Sequence, residues 1–324
     1  ALCNVFQITS DKLLDIELEK NEEAIEAIRA EASKFSSKGH GLEAEKILLE
    51  GLRRFPNSYG MMYDLMYITY VESYQEKYEE SVRKQYLDRT INYAEKIIQD
   101  SKDDFLRSGA KQIRCFIHAG AGEHEKAIAI AKTMDNLSCC QESMLTAASK
   151  GTEKYQRGQE EIFQLIQMLG VSMVSQQVEL DDGNYSYSYE ESIRLSEKHI
   201  AFLKLMFEDG DFGFFHTQLC RSYRELAYYY AINKDEENAL QYLSLARDSA
   251  LVFIKLDIKE KHTSLLLRGQ ECGDFYNPED ENNADWTLMV MENKHFDFLR
   301  ENTRFQEIKR SLQEYAGGWG KLER

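Results

Sequence analysis

Two arginines and a tyrosine, Arg221, Arg224 and Tyr228, stand three and four residues apart, the spacing that stacks side chains on one face of an α-helix. With Ala227 and Tyr230 turned toward a packing partner, that face projects outward. A guanidinium offers planar donors and stacks on rings, so two of them beside a tyrosine suit a peptide carboxylate or backbone carbonyls. The same register nominates Glu26, Arg29 and Ser33 near the start of the chain. The competing reading pairs Arg221 and Arg224 with acids such as Glu225 or Glu191 in a solvated network. A further basic stripe, Arg107, Lys111 and Arg114, could dock an acidic partner, but screened salt bridges to nearby acids account for it more simply.

Other reactive side chains do not gather. Seven histidines are scattered, and the closest pair, His118 and His124, straddles a glycine-containing turn flanked by Glu123 and Glu125 without cysteine or carboxylate at metal-ligand spacing. The six cysteines, Cys3, Cys115, Cys139, Cys140, Cys220 and Cys272, form no CxxC pair and no disulfide framework. The vicinal Cys139-Cys140 lacks neighbouring bases to stabilise a thiolate, so plain buried thiols are expected. No GxxxxGK phosphate loop occurs, and Gly317-Gly318-Trp319-Gly320 reads as a frayed tail. The expectation is therefore a binding protein and not an enzyme, with no metal and no cofactor.

The 324 residues carry a formal charge of −16 and 43% hydrophobic content. Such an acidic surface repels phosphate backbones and anionic headgroups alike, so these residues should bind neither DNA nor membrane. No signal peptide and no apolar run long enough to cross a bilayer is visible, and a reducing, cytoplasmic setting is expected. Only Pro56 and Pro278 interrupt the chain, and strand-like alternation is scarce. An all-α fold follows.

The helical pattern is strongest from Leu219 to Ala250. Leu219, Tyr223, Leu226, Ala227 and Tyr230 recur at helical spacing, Asn233-Lys234-Asp235 turns the chain, and Ala239, Leu243, Ala246 and Ala250 repeat the pattern. Ala44, Leu48, Gly51 and Pro56 reproduce this order, preceded by Ala32 and Phe35. A third copy around Gly122 to Ala127 has a poor first helix, because Lys111 and Arg114 fall where apolar residues should stand. These segments resemble drifted tetratricopeptide (TPR) repeats, at irregular intervals that demand extra helices between them. The resemblance implies a right-handed superhelix of antiparallel hairpins whose first helices line a concave groove. It makes Arg221, Arg224, Tyr228, Glu26, Arg29 and Ser33 groove candidates.

Between these copies the periodicity predicts helices over residues 17–38, 42–55, 57–78, 81–99, 103–119, 123–134, 160–175 and 190–207. The 57–78 segment carries Tyr59, Tyr63, Tyr67, Tyr70 and Tyr74 on one face, rings that pack between helices or line a peptide groove. Beyond Asp257 a long, acid- and asparagine-rich loop precedes short helices over 286–291, 295–299 and 303–315, which would cap the open end of a solenoid.

The first residues differ in character. Ala1-Leu2-Cys3-Asn4-Val5-Phe6-Gln7-Ile8-Thr9-Ser10-Asp11-Lys12-Leu13-Leu14 resembles the last turns of a Cro/repressor-type helix-turn-helix domain, which puts the recognition helix upstream of Ala1. The ends together, His262-Thr263-Ser264-Leu265-Leu266, His295-Phe296-Asp297-Phe298-Leu299-Arg300 and Arg304-Phe305-Gln306-Glu307-Ile308, resemble bacterial transcriptional regulators with an N-terminal repressor-like domain and a long TPR-like domain. The expected organisation is 1–16 as the end of the DNA-binding domain, 17–257 as the repeat domain and 258–324 as loop and caps. The resemblance implies a homodimer that senses a signalling peptide on its concave face and touches DNA only through upstream residues. A TPR adaptor that never touches DNA is the alternative; a helix-turn-helix upstream of Ala1 would support the regulator, and a native start near Ala1 the adaptor.

Overall fold

The computed structural model describes residues 18–137, 140–257, 259–272 and 281–318. The 1–16 segment, Cys3 and Cys139 lie outside them. Every regular element among the described residues is helical apart from two isolated bridges, Glu179 with Tyr185 and Lys261 with Glu271. Among the described residues no helix is long and apolar enough to cross a membrane. The chain divides into two compact units at Met134/Asp135, inside the stretch read from sequence as one repeat domain.

The first unit holds α1 (Leu18–Ser36), α2 (Gly41–Arg54), α3 (Tyr59–Glu72), α4 (Glu80–Asp100), α5 (Asp104–Gly120) and α6 (His124–Ala131), each packed on the next. The Ser58 side chain caps α3 and the Asp103 side chain caps α5, taking up backbone N–H groups that a helix start leaves unpaired. The aromatic richness of α3 has a direct cause, because this helix is shared by two cores. Met61, Leu65 and Ile68 join Ala32, Ala44 and Leu48, whereas Met62 and Met66 join Ala94, Ile97, Ala110, Ile113 and Ile117. Tyr63, Tyr67 and Tyr70 pack half-buried at the edge of the second core, with ring centres 5.0 Å apart for Tyr63 and Tyr67 and 5.7 Å for Tyr63 and Phe105.

The register of α5 corrects one expectation. Its core face is Ala110, Ile113 and Ile117, so Lys111 and Arg114 occupy no apolar position and the helix is amphipathic. The basic stripe is also engaged locally. Arg107 pairs with Asp104, Arg114 lies 3.9 Å from Glu95, and Lys111 donates to the Thr133 carbonyl at 3.2 Å.

The second unit holds α7 (Gln141–Ala148), α8 (Gly151–Val174), α9 (Tyr189–Met206), α10 (His216–Ile232), α11 (Glu236–Ile254), α12 (Asn283–Met291) and α13 (Thr303–Gln313), with 3-10 turns at Gly213–Phe215 and Lys294–Leu299. Sequence periodicity passes over α7, and it starts α8 at Glu160 where the helix begins at Gly151. A reciprocal cap joins Ser188 to Glu191 at the start of α9, and Asp235 caps α11 after Lys234 adopts the left-handed conformation, φ 56°. The described part of the segment 258–324 set apart in the sequence reading, residues 259–272 and 281–318, supplies Leu267, Met291, Phe296, Leu299, Phe305, Ile308 and Leu312 to the same core as α10 and α11. The 259–272 loop is pinned to the α9–α10 turn, where Asp211 accepts from His262 Nδ1 at 2.9 Å and from the Thr263 N–H at 2.6 Å.

Two consequences can be measured. Ala227 is fully buried where α10 meets α11, so Ala227→Leu should overpack that contact and lower stability by about 1–3 kcal/mol in urea unfolding. Burial pushes the His216 imidazole down to about 4, and its Nδ1 has no partner. A histidine whose folded pKa lies below its unfolded value of about 6.5 stabilises fully above that value and loses the contribution as pH falls toward 4. The loss is at most about 3 kcal/mol. Lowering the pH from 7.5 to 4.5 should therefore destabilise wild type relative to His216→Phe in unfolding free energy, and an unchanged difference between the two would refute the burial argument.

Candidate functional site

The outward face of α10 is set by its inward one. Leu219, Tyr223, Leu226, Ala227 and Ala231 are buried, and Tyr230 stacks on Tyr242 of α11 at 5.5 Å with the rings nearly parallel. That roll leaves Arg221, Arg224, Glu225 and Tyr228 on the opposite stripe, as the sequence spacing requires. Facing them is α12, held at its start by a reciprocal cap between Asn282 and Asp285. Asp285 also accepts from the Gly317 and Gly318 N–H groups at 2.8 and 3.1 Å.

Between α10 and the α12 segment lies a cleft of about 650 Å³ lined by Arg221, Arg224, Glu225, Tyr228, Tyr229, Met289, Val290 and Asn293. All three α10 residues nominated from sequence therefore share one cavity. Met289 is 60% exposed, a large apolar side chain presented to whatever fills the space. Tyr228 meets His295 edge to face at 5.6 Å. The Tyr229 hydroxyl donates to Gln177 Oε1 at 2.8 Å, and its carbonyl accepts from the Tyr189 hydroxyl.

The two arginines are not equivalent. Arg221 donates through Nε to Glu225 Oε1 at 3.0 Å, so the anticipated pairing with Glu225 holds for this residue. Glu225 also accepts from Ser196 Oγ at 3.3 Å. Glu191, the other acid considered, is occupied in capping α9. Arg224 lies over the Trp286 ring at 5.8 Å, and its Nη1 is shut off from solvent without an acceptor. A buried cationic donor without an acceptor costs several kcal/mol in principle, of order 1–3 for a single lost hydrogen bond. An anionic oxygen in the cleft relieves it once the guanidinium swings off Trp286, since Nη1 as it stands is closed to solvent and so to any ligand.

The first-unit candidates also share a cavity. Glu26, Arg29 and Ser33 line a pocket of about 360 Å³ with Ala30, Ala32, Ser36, Leu48, Asp64, Tyr67 and Ile68. Here the arginine is already satisfied, since Nε and Nη2 reach the two Asp64 oxygens at 2.7 and 3.1 Å and Nη1 reaches Glu26 at 3.3 Å. The Asp64 hydrogen bond and charge hold the Arg29 guanidinium above its ordinary value against the opposing effect of burial. This pocket is a closed ion pair and the α10–α12 cleft is an open one.

Sequence reasoning missed Met289, Val290 and Asn293 because the C-terminal helices were read only as caps. It missed Asp64 too, although an acid among the rings and methionines of the segment 59–72 was a usable signal. Among the described residues no three His, Cys, Asp or Glu side chains converge to hold a metal ion. Cys220 and Cys272 are buried, and burial pushes the Cys220 thiol up and the Cys272 thiol to about 11. Cys115 and Cys140 are half-buried.

The Arg29–Asp64 pair generates its own test: a double-mutant cycle with Arg29→Ala and Asp64→Ala should return a coupling of about 1 kcal/mol or more, above the usual exposed pair. Zero coupling would mean that Arg29 is as available to a ligand as Arg224. The chain matches no protein-family model, no curated protein and no solved structure.

Proposed function

We propose that this chain is the regulatory, dimerising and ligand-sensing part of a DNA-binding transcriptional regulator, a TPR-like helical repeat whose α10–α12 cleft takes a peptide by a carboxylate. One observation carries the ligand reading: Arg224 holds a buried guanidinium donor without an acceptor at the edge of a 650 Å³ cleft that also contains Arg221. The apolar lining, Met289 and Val290 with the Tyr228 ring, suits an aliphatic side chain next to that carboxylate. Support for the TPR-like reading comes from the α10–α11 hairpin, where buried alanines 227, 231, 239, 246 and 250 line the contact. Support for the regulator comes from the resemblance of residues 1–14 to the end of a repressor-type domain. In this reading DNA contact falls to a separate basic module, because a charge of −16 repels phosphate backbones.

In this reading the ligand acts by binding one arrangement of the helices better than another, which changes how a pair of DNA-reading heads is presented. The carboxylate needs no large motion to be felt. Arg221 and Glu225 share the α10 face with Arg224, and Glu225 reaches Ser196 on α9.

The test is calorimetric. A library of short peptides with free C-termini should yield binders with an aliphatic residue beside the carboxylate, and the matching C-terminal amides should bind about 10- to 100-fold more weakly, the effect of one charge-assisted hydrogen bond. Arg224→Gln should cause a loss of the same size, with Arg29→Gln close to wild type. Equal affinity for acid and amide, or an unaffected Arg224→Gln, would overturn the assignment.

A further inference from the structure

From Ile162 to Val178 the sequence contains no Asp, Glu, Lys, Arg or His, in a chain of which 30% is charged. Most of that stretch is the second half of α8. One side of the helix is committed to the core of its unit, with Gln159, Ile166, Gly170 and Val174 buried and Ile162 and Phe163 packed against the same cluster. Leu165, Met168, Leu169 and Val171 project elsewhere, and together with Met144 of α7 and the preceding Leu137 they are 44% to 59% exposed. A helix that is apolar on more than one side is a buried helix. Here one of those sides is left about half exposed by the described residues.

Helix α7 makes the same point, since none of its eight residues is buried. It is tied to α8 by a hydrogen bond from Ser143 to Glu161, and the two helices frame a shallow cavity of about 320 Å³ lined by Leu137, Leu165 and Met168 and also by the acids Asp135, Glu142 and Glu161. Contiguous exposed apolar surface of this kind marks an interaction site.

We propose that the α7–α8 face is where two copies of this chain associate, the uncharged halves of α8 crossing about a two-fold axis. Charge selects the occupant. Each copy carries −16, so contact between copies through ordinary surface sets like charges against each other, and an uncharged apolar strip is where that repulsion is least. A basic protein partner would be drawn to the acids of the neighbouring cavity, Asp135, Glu142 and Glu161, whereas the uncharged half of α8 offers it nothing. An isologous contact needs one patch complementary to itself. Leucine and methionine side chains interdigitate readily with their own kind, and Gln164 and Gln167 offer a donor and an acceptor each. The first half of α8, with Glu153, Lys154, Arg157, Glu160 and Glu161, carries both signs and would form the rim. A stable interface takes about 800 Å² from each partner, so the six apolar side chains must be joined by their glutamine neighbours and the charged rim to reach that size.

This inference rests on the self-association named in the proposed function, and the experiment separates the two. Light scattering of the full chain should give twice 37.7 kDa, and Leu165→Glu/Met168→Glu should give a monomer with unchanged helical circular dichroism. If the charged variant fails to fold, Leu165→Gln/Met168→Gln decides, with an expected rise in the dimer dissociation constant of about 10-fold or more. A dimer that neither variant weakens overturns the face and leaves the regulator reading standing. A wild-type chain that stays monomeric at every concentration overturns both the face and the dimerisation part of that reading. Peptide affinity in the α10–α12 cleft should be unchanged in the Gln variant.

Discussion

The α10–α11 contact is the constraint on which the second unit is built. Five alanines, 227, 231, 239, 246 and 250, are buried there almost completely, with Leu226, Leu240, Leu243 and Phe253 filling the space around them. Small side chains at a helix crossing let two backbones approach closely, and the large neighbours then lock the roll of each helix through interdigitation. Once the roll of α10 is set, so is the direction in which Arg221, Arg224 and Tyr228 point. The C-terminal helices pack on the same pair, which is why α12 stands opposite that face and converts an exposed arginine stripe into the floor of a cleft.

A buried polar cluster then fixes α8 and α9 to α10. His199 is bonded at both ring nitrogens, Nδ1 to Ser222 Oγ at 2.7 Å and Nε2 to Gln218 Oε1 at 3.1 Å, and burial lowers its affinity for a proton. Gly170 on α8 is what admits this arrangement, since a Cβ there would lie 2.2 Å from Gln218 Oε1. Directional bonds of this kind specify one packing where apolar contacts alone would tolerate several. With Gly170 committed inward, the turn of the helix that carries Leu165, Met168 and Leu169 cannot also face the core. The exposed strip on α8 and the arginine face on α10 are thus consequences of the same interior.

Most of the helices were legible because apolar residues recur at 3.6-residue spacing over long stretches, and their ends carry recognisable caps such as Ser58, Asp103 and Asp235. Helix α7 was not, because Gln141–Ala148 buries none of its side chains and so writes no periodic pattern. The register of α5 was misread for a related reason: Lys111 and Arg114 were aligned to a repeat template, whereas the local pattern Ala110, Ile113, Ile117 was the physical signal. The arginine faces were legible because i, i+3, i+7 spacing on one helix is a local property. Their partners were not, because Asp64 and Met289 come from other helices and their approach is set by tertiary packing that no local pattern encodes.

Arg29 and Arg224 show how far identical local logic can diverge. Each stands on the outward face of the first helix of a hairpin, and each borders a cavity. Against Arg29, α3 presents Asp64, whose two oxygens meet the guanidinium fork and leave Arg29 engaged at Nε, Nη1 and Nη2. Against Arg224, α12 presents Trp286, Met289 and Val290, a ring face and two apolar side chains that supply no acceptor. A guanidinium keeps its charge under any physiological condition, so an unmet donor cannot be relieved by losing a proton, as a histidine or lysine would do. Relief has to come from outside the chain. In a chain so rich in carboxylates, with Glu225 of the same cleft already given to Arg221, the guanidinium donor that no carboxylate meets is the one that selects for a ligand's.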